Sequence, residues 1–264
     1  MSEQEGGRDL TRFEPSPRWV RAMFENVALA DSRRAMLVWE PRRLPVYCFP
    51  PEDVRTDLLD AVDERVVAGG GKASVHSVSV NDRRAERAAW AYAQPPPGAE
   101  PLAGYFGFTW NAMDAWYEED DEVFVHPRDP HHRVDVLHSS RHVRVVVLGE
   151  TVADTRRPSL LFETGLPTRY YIPRHDVRMD LLRSSDTETQ CPYKGRASYY
   201  SVRVGDRLAR DLAWTYPFPI PECPRIENLV CFFDEQVDAV VVDGEDMPRP
   251  QTPWARPPVI ETVG

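Results

Sequence analysis

The sequence is short of positive charge. Its 264 residues carry 32 lysines and arginines against 42 aspartates and glutamates, which gives a net charge of −10. Because nucleic acids and anionic membrane surfaces are themselves negative, this charge makes both of them poor partners. The sequence also lacks any run of 18 apolar residues, so no transmembrane helix is predicted. We therefore expect no nucleic-acid partner and no membrane association.

Cysteine is scarce, and no two cysteines have the spacing of a metal or redox motif. The four cysteines are Cys48, Cys191, Cys223 and Cys231, and they form no C-x-x-C pair. A structural zinc site needs closely spaced thiolates or imidazoles, so no metal site is predicted. The first five residues are polar and do not resemble a signal peptide. We expect a cytoplasmic protein with reduced thiols.

Proline, in contrast, is abundant. It accounts for 25 of the 264 residues, compared with a usual share of about 5%. Since interior prolines break helices, a largely helical fold is disfavoured. The hydrophobic fraction of 42% is high enough to form buried cores. At roughly 150 residues per domain, the length predicts about two domains.

A long internal repeat is the strongest feature of the sequence. Residues 31–59 match residues 154–182 without a gap, with identity at 13 of 29 positions. After one inserted residue the match continues, for example where Trp90-Ala-Tyr92 aligns with Trp214-Thr-Tyr216. The offset of 123 residues is far longer than a solenoid unit of about 20–50 residues. We conclude that one domain has been duplicated.

Each copy is predicted to be mainly β, with one short helix. The second copy contains β-branched or alternating segments such as 143–148 and 197–204, with turn signals between them. Short strands at this spacing indicate two compact antiparallel β domains that are barrel-like or sandwich-like. The helix is expected at about 176–183, where the apolar positions fit the helical period only loosely.

The repeat also predicts the domain boundaries. We expect the first repeat at residues 16–122 and the second at 139–246, joined by a proline-containing linker at 123–138. Four of the five histidines between positions 126 and 142 lie in this linker. Without helical spacing to hold a metal, they are interpreted as solvated linker residues. The proline-rich residues 247–264 are expected to form an extended tail.

Several motifs together resemble one bacterial family. In the second copy they are Cys191-Pro-Tyr-Lys-Gly195, Ala197-Ser-Tyr-Tyr-Ser-Val202, Ala213-Trp-Thr-Tyr216, Asp154-Thr-Arg-Arg157 and Glu163. This combination is similar to the domain of unknown function 427 (DUF427), a family that also carries a nucleotidyltransferase label. The resemblance covers both copies and is typical of a tandem member. It implies a compact β-rich fold and no established mechanism.

The residues themselves give the transferase label little support. Nucleotidyl transfer generally uses carboxylates that hold metal ions against the phosphates. The sequence has no Gly-Ser followed by a D-x-D pair and no P-loop. Gly69-Gly70-Gly71-Lys72 lacks the P-loop spacing and is interpreted as a flexible turn. Any cofactor therefore stays unknown.

The two copies differ at the Cys-Pro-Tyr-Lys-Gly motif. Where the second copy has Cys191, Tyr193 and Lys194, the first has a valine and two glycines. A scaffold residue should persist in both copies, whereas a site residue can be lost from one. We therefore place the functional site in the second copy and interpret the first as degenerate or structural.

The candidate catalytic residues are Cys191, Lys194 and Glu163. A nearby ammonium group lowers the pKa of a thiol, so Lys194 would favour Cys191 as a nucleophile, with Glu163 as a base. Each residue also has a structural interpretation. Cys191 fits a small buried hydrophobe, Lys194 a solvated turn residue, and Glu163 a member of an ion-pair network.

The candidate ligand-binding residues are Arg156, Arg157, Tyr199 and Tyr200. The arginines offer planar donors to a carboxylate or phosphate. Because both copies keep the two arginines, a structural ion-pair network is an equal alternative. The two tyrosines alternate along a predicted strand, so only one of them faces any given side.

Two functions of different classes remain open. In the first, the second copy binds a small anionic or nucleotide-like metabolite and catalyses group transfer on it. In the second, the duplicated β domains form a non-catalytic interaction module that offers an edge or groove to a partner protein. A thiol-redox role for Cys191 is a weaker third hypothesis, and formation of a homo-oligomer stays open.

Overall fold

A computed structural model describes residues 11–41 and 43–263. The chain divides into two compact units, and the boundary lies between Asp129 and Pro130. Both units consist of β-strands joined by turns and by single-turn 3-10 helices. Within the described ranges, no helix has the length and apolar character that crossing a bilayer requires.

The first unit is built from two antiparallel sheets. Its strands are β1 (Arg12–Pro15), β2 (Val20–Phe24), β3 (Val27–Ser32), β4 (Met36–Trp39), β5 (Val46–Phe49), β6 (Leu59–Val67), β7 (Gly71–Val80), β8 (Arg83–Gln94), β9 (Phe106–Phe108), β10 (Ala115–Glu118) and β11 (Asp121–Glu122). One sheet has the order β1-β4-β5-β9-β8-β7-β6, and the other has the order β11-β10-β2-β3. The main core is drawn from both sheets, with Phe24 and Trp116 from the smaller and Tyr47, Phe49 and Phe108 from the larger. The two sheets therefore pack face to face.

The second unit repeats the eleven strands of the first in the same order and adds a twelfth, β23. Its strands are β12 (Val134–His138), β13 (Val143–Val147), β14 (Glu150–Thr155), β15 (Ser159–Glu163), β16 (Arg169–Tyr171), β17 (Leu182–Cys191), β18 (Gly195–Val204), β19 (Arg207–Thr215), β20 (Val230–Phe232), β21 (Ala239–Val242), β22 (Glu245–Asp246) and β23 (Ile260–Thr262). The orders are β12-β15-β16, β17-β18-β19-β20 and β14-β13-β21-β22. A bridge between Ile172 and Val230 links the first two groups, as β5 and β9 are linked in the first unit.

The strand registers show that the duplication extends to individual residue pairs. In the first unit, Ala22 of β2 lies opposite Trp116 of β10. At the aligned positions of the second unit, Val145 of β13 lies opposite Val240 of β21. The prediction of two duplicated, mainly β, antiparallel domains is therefore confirmed.

The short helix predicted at 176–183 takes a different form. Two 3-10 turns, Arg174–Asp176 and Met179–Leu181, occupy this segment, and the first unit has the same pair at Pro51–Asp53 and Thr56–Leu58. Val177, between the turns of the second unit, is buried and extended and bridges to Ala153 of β14. Because the backbone bonds to a neighbouring strand at this point, an α-helix cannot propagate through it.

The linker and the tail both contribute strands. Residues 134–138, expected within the linker, form β12 and pair along their whole length with β15. In the tail, β23 pairs with β19 and so extends that sheet. The proline content of the tail ends before β23 begins, which leaves its backbone N–H groups free to join the ladder.

Candidate functional site

The Cys-Pro-Tyr-Lys-Gly motif forms the turn between β17 and β18. Cys191 is the last residue of β17 and pairs with Gly195, the first residue of β18. The N–H of Lys194 donates to the carbonyl of Cys191 at 3.3 Å and closes the turn. Gly195 has φ +100, and a Cβ at this position would lie 3.2 Å from the carbonyl oxygen of Phe218. A glycine is therefore required where the turn meets the loop that contains Phe218.

The Lys194 side chain points inward and meets a buried carboxylate. Its Nζ donates to Oε2 of Glu163, the last residue of β15, at 2.5 Å. The other carboxylate oxygen of Glu163 lies 3.0 Å from Nε2 of His132, which precedes β12. The His132 ring stacks on Tyr193 with 4.1 Å between ring centroids. Three separate segments of the second unit thus meet at one carboxylate. We call Glu163, Lys194 and His132 the lysine cluster.

The lysine cluster is shielded from solvent. The side chains of Glu163, Lys194 and His132 are 6%, 10% and 21% exposed, respectively. A charge-assisted contact in such surroundings is stronger than the same contact at the surface. The carboxylate of Glu163 balances the charge of the Lys194 ammonium.

Two thiols lie in the same region. Cys191 is partly exposed, whereas Cys223 is buried. Burial raises the pKa of Cys223 to about 11, while Lys194 lowers it and the negative groups Cys191 and Glu163 raise it. The carboxylate thus opposes the effect of the ammonium on this neighbouring thiol. Lys194 on its own does not supply the strongly electropositive environment that a low-pKa thiol needs.

The first unit keeps the glutamate but gives it other partners. Glu40, aligned with Glu163, accepts from Tyr92 Oη at 2.8 Å and pairs with Arg43 at 3.0 Å. Glycines occupy the turn positions aligned with Tyr193 and Lys194. Glu40 also lines a cavity of about 280 Å³ together with Arg43 and Arg65. The lysine cluster therefore belongs to the second unit, and the first unit retains a different arrangement around the shared carboxylate.

Arg156 and Arg157 do not join the lysine cluster. They precede β15, whereas Glu163 ends it, and the strand itself is roughly 14 Å long at 3.4 Å per residue. Arg157 donates to Asp176 at 3.0 and 3.1 Å, and Arg34 pairs with Asp53 in the same way in the first unit. Because the same ion pair is kept in both units, it holds the 3-10 segment in each of them, and a ligand-binding role for Arg156 and Arg157 stays a prediction.

Tyr199 and Tyr200 lie on opposite faces of β18, as their alternation predicts. Tyr199 Oη is 2.8 Å from Thr189 Oγ1. Burial raises the pKa of Tyr199, the hydrogen bond with Thr189 lowers it, and the charge of Asp211 adds to the increase. Tyr200 accepts from Arg174 at 3.1 Å and packs against the main core of the unit. Only Tyr199 thus shares a face with the motif.

A second polar network was missed by the sequence analysis. Arg169 of β16 donates to both carboxylate oxygens of Glu235 at 2.8 and 2.6 Å, and Asp234 lies 3.8 Å from Arg169. Thr252, in the proline-rich tail, donates to Glu235 at 2.6 Å and so ties the tail to the network. Desolvation, moderated by Arg169, raises the pKa of Asp234 to about 7.

A sequence signal for this network existed in the comparison of the two copies. The first copy has Val46 at the position of Arg169, and it has Trp110 and Asn111 at those of Asp234 and Glu235. Charged residues that replace uncharged ones in a repeat indicate a local change of environment. His132 had no such signal, because it had been assigned to the linker. Among the described residues, no group of three or more His, Cys, Asp or Glu side chains is placed to hold a metal ion.

The fold defines the class of protein: it consists of two duplicated antiparallel β domains. The domains differ in the polar side chains around the shared glutamate, Glu40 in the first and Glu163 in the second. The family profile described as the domain of unknown function DUF427 matches residues 12–119 and again residues 135–243. The chain therefore belongs to the DUF427 family as a tandem, two-domain member. The profile's short name refers to nucleotidyl transfer, and a name alone does not establish that activity. Among curated proteins, none matches the chain.

Proposed function

We propose that the second unit binds a small anionic metabolite at the lysine cluster, with nucleotides as one class to test. The observation that carries this proposal is the buried ammonium of Lys194, which is held by Glu163 in the copy that carries the motif. Burying a paired charge costs desolvation energy that apolar side chains avoid. A position that retains such a pair is therefore a candidate for function.

The donors of the lysine cluster suit an anion. An ammonium has three N–H donors, and its contact with Glu163 uses one of them. His132 lies beside this pair, with its Nε2 3.0 Å from the other carboxylate oxygen of Glu163. A phosphate or carboxylate group would then receive N–H bonds from Lys194 while Glu163 keeps the ammonium oriented.

We further propose that the second unit catalyses group transfer. This step is supported by the name of the family profile and by the Cys191 side chain. Cys191 is the partly exposed thiol of the same turn. If turnover is found, we assign Cys191 as the nucleophile and Glu163 as the base. Binding has the firmer basis and is tested first.

The test of binding compares variants of the full chain by thermal shift. Phosphate, citrate, AMP and ATP are added to the wild type, to the Lys194→Met/Glu163→Gln double variant and to Lys72→Met. Lys72 is the only other lysine in the sequence and is exposed in the first unit, so it is a matched control. We expect at least one anion to stabilise the wild type and Lys72→Met but not the double variant. If no anion stabilises the wild type, or if the double variant responds equally, the proposal is wrong.

The second candidate function is a protein-interaction module, and the exposed side chain of Phe218 favours it. Phe218 is 85% exposed, in a loop with prolines at 217, 219 and 221. This loop bonds to the motif, because the N–H of Ile220 donates to the carbonyl of Lys194. A rigid loop that presents an aromatic side chain fits a docking contact. Affinity capture with wild type and Phe218→Ser tests it: a partner kept by the wild type and lost by the variant supports this function, and equal capture by both contradicts it.

A further inference from the structure

A cavity of about 310 Å³ lies in the second unit, away from the residues of the lysine cluster. The segment 167–170, the turn that contains Asp234, strand β21 and the start of the tail at 246–250 line it. None of its lining residues belongs to the lysine cluster or to the motif. It is therefore a separate feature of the unit and calls for its own explanation.

Two of the residues that line this cavity align with large aromatic residues of the first unit. Asp234 and Val240 of the second unit align with Trp110 and Trp116. These two tryptophans stack with 4.5 Å between ring centroids and an interplanar angle of 5°, and Trp116 Nε1 donates to the Trp110 carbonyl. The duplicated scaffold thus accommodates two parallel aromatic rings here. In the second unit, short side chains leave this volume open.

The wall of the cavity is acidic. The Asp234 side chain is nine-tenths buried, and Asp238 and Asp246 also line the space. Arg169 makes its short hydrogen bonds to Glu235 and lies 3.8 Å from Asp234. Arg249, the one cation among the lining residues, donates to the carbonyl of Val237. Both guanidinium groups are thus engaged with protein acceptors. A ligand would meet carboxylate oxygens that accept hydrogen bonds.

We propose that this cavity is a binding site for a planar aromatic cation or aromatic N–H donor, whose ring takes the place of the stacked tryptophans of the first unit and whose N–H groups donate to Asp234. The ring supplies apolar burial in a slot shaped for flat groups. The carboxylate supplies a charge-assisted, bidentate acceptor in desolvated surroundings. An anion is disfavoured, because the lining carries three aspartates and one arginine.

The experiment uses three probes that separate ring shape from charge. Benzamidine is planar and cationic, benzoate has the same ring with a negative charge, and cyclohexylamine has a positive charge without a flat ring. Each is titrated into the full chain at pH 8, where Asp234 is mostly ionised, and binding is followed by ligand-observed NMR and calorimetry. We expect benzamidine to bind and the other two probes to bind at least tenfold more weakly.

Variants assign the binding to the cavity. Asp234→Asn preserves the size of the side chain and should weaken benzamidine binding at least tenfold. Val240→Trp fills the cavity as the first unit does and should abolish binding. Asp206→Asn, in the exposed turn between β18 and β19, is the matched control and should bind like wild type. The Lys194→Met/Glu163→Gln double variant should also bind normally, which separates this site from the lysine cluster.

Several outcomes would overturn the proposal: no binding of benzamidine to the wild type, equal binding of benzoate or cyclohexylamine, or unchanged affinity in Asp234→Asn. If Val240→Trp does not fold, the Asp234→Asn comparison still decides the question, because that substitution adds no volume.

Discussion

Glu163 and Lys194 form an ion pair with 2.5 Å between carboxylate oxygen and ammonium nitrogen, and both side chains are at least nine-tenths buried. The two residues come from different parts of the unit, the end of β15 and the turn after β17. Contact between them fixes the position of the turn relative to the sheet. Removing one partner would leave the other as an unpaired buried charge.

We predict that the single substitution Lys194→Met lowers the free energy of unfolding by about 3–5 kcal/mol, because it leaves the Glu163 carboxylate buried without its partner. The double variant Lys194→Met/Glu163→Gln should recover most of this loss. Chemical denaturation of the two single variants and the double variant gives the coupling energy directly. Additive single and double effects would show that the two side chains do not interact.

A second prediction concerns the reactivity of the four cysteines. Cys191 is partly exposed, while Cys48, Cys223 and Cys231 are at most 2% exposed. Burial raises the pKa of all three buried thiols, which lowers their thiolate content. A thiol reagent should therefore label one cysteine rapidly in the native protein and four after denaturation. Mass spectrometry identifies the site, and Cys191→Ser should remove the rapid phase. Rapid labelling at any other cysteine would contradict the structure.

A third prediction concerns the ion pairs that Arg157 and Arg34 form with aspartates. Arg157 pairs with Asp176 as Arg34 pairs with Asp53, and both guanidinium groups are largely exposed. Arg157→Ala and Arg34→Ala should each cause a similar, small decrease in Tm, since exposed ion pairs contribute little. Neither variant should change the thermal shift produced by an anion. If Arg157→Ala alone lost the thermal shift produced by an anion, Arg157 would be part of the binding site.

Asp234 makes the stability depend on pH. Its pKa is about 7 in the folded protein, above its ordinary value, because burial disfavours the carboxylate. The folded state therefore holds this proton more tightly than the unfolded state, and ionisation of Asp234 destabilises the protein as pH rises from about 4 to 7. Arg169 lowers this pKa and Glu235 raises it, so both belong to the same network.

The neutral variant Asp234→Asn should accordingly be about as stable as wild type near pH 4 and more stable near pH 8, by at most about 4 kcal/mol. Denaturation at both pH values measures the difference. Asp206→Asn is the control for loss of one acidic residue at the surface. A difference between Asp234→Asn and wild type that is independent of pH would show that Asp234 is ionised throughout this range.

The sequence could predict the features that the two copies share. Trp214 and Tyr216 are retained in both copies and are 7% and 5% exposed, as expected of core residues. The location of Cys191 and Lys194 in one turn, and the expected difference between the copies, also followed from alignment alone. Local periodicity and the repeat were sufficient for these conclusions.

Contacts between distant segments could not be predicted in this way. His132 reaches Glu163 because β12 pairs with β15. This long-range pairing was not expected, because residues 123–138 had been assigned to a linker. The helix expected at 176–183 failed because Val177 bridges to β14. Arg156 and Arg157 lie at the opposite end of β15 from Glu163, a separation that the list of candidate residues did not show. In each case tertiary pairing overrode the local pattern.

The central claim is that Lys194 of the second unit contacts a small anionic ligand, and amine labelling tests it most directly. Lys72 and Lys194 are the only lysines of the sequence, so each acetylation rate is measured in one experiment with the other as internal reference. Lys194, whose side chain is 10% exposed and ion-paired, should react more slowly than the exposed Lys72 in the free protein. Phosphate, citrate, AMP and ATP are then added in turn. The account predicts that at least one of them slows the acetylation of Lys194 further and leaves that of Lys72 unchanged. Equal rates at the two lysines, or a Lys194 rate that no anion changes, would contradict it.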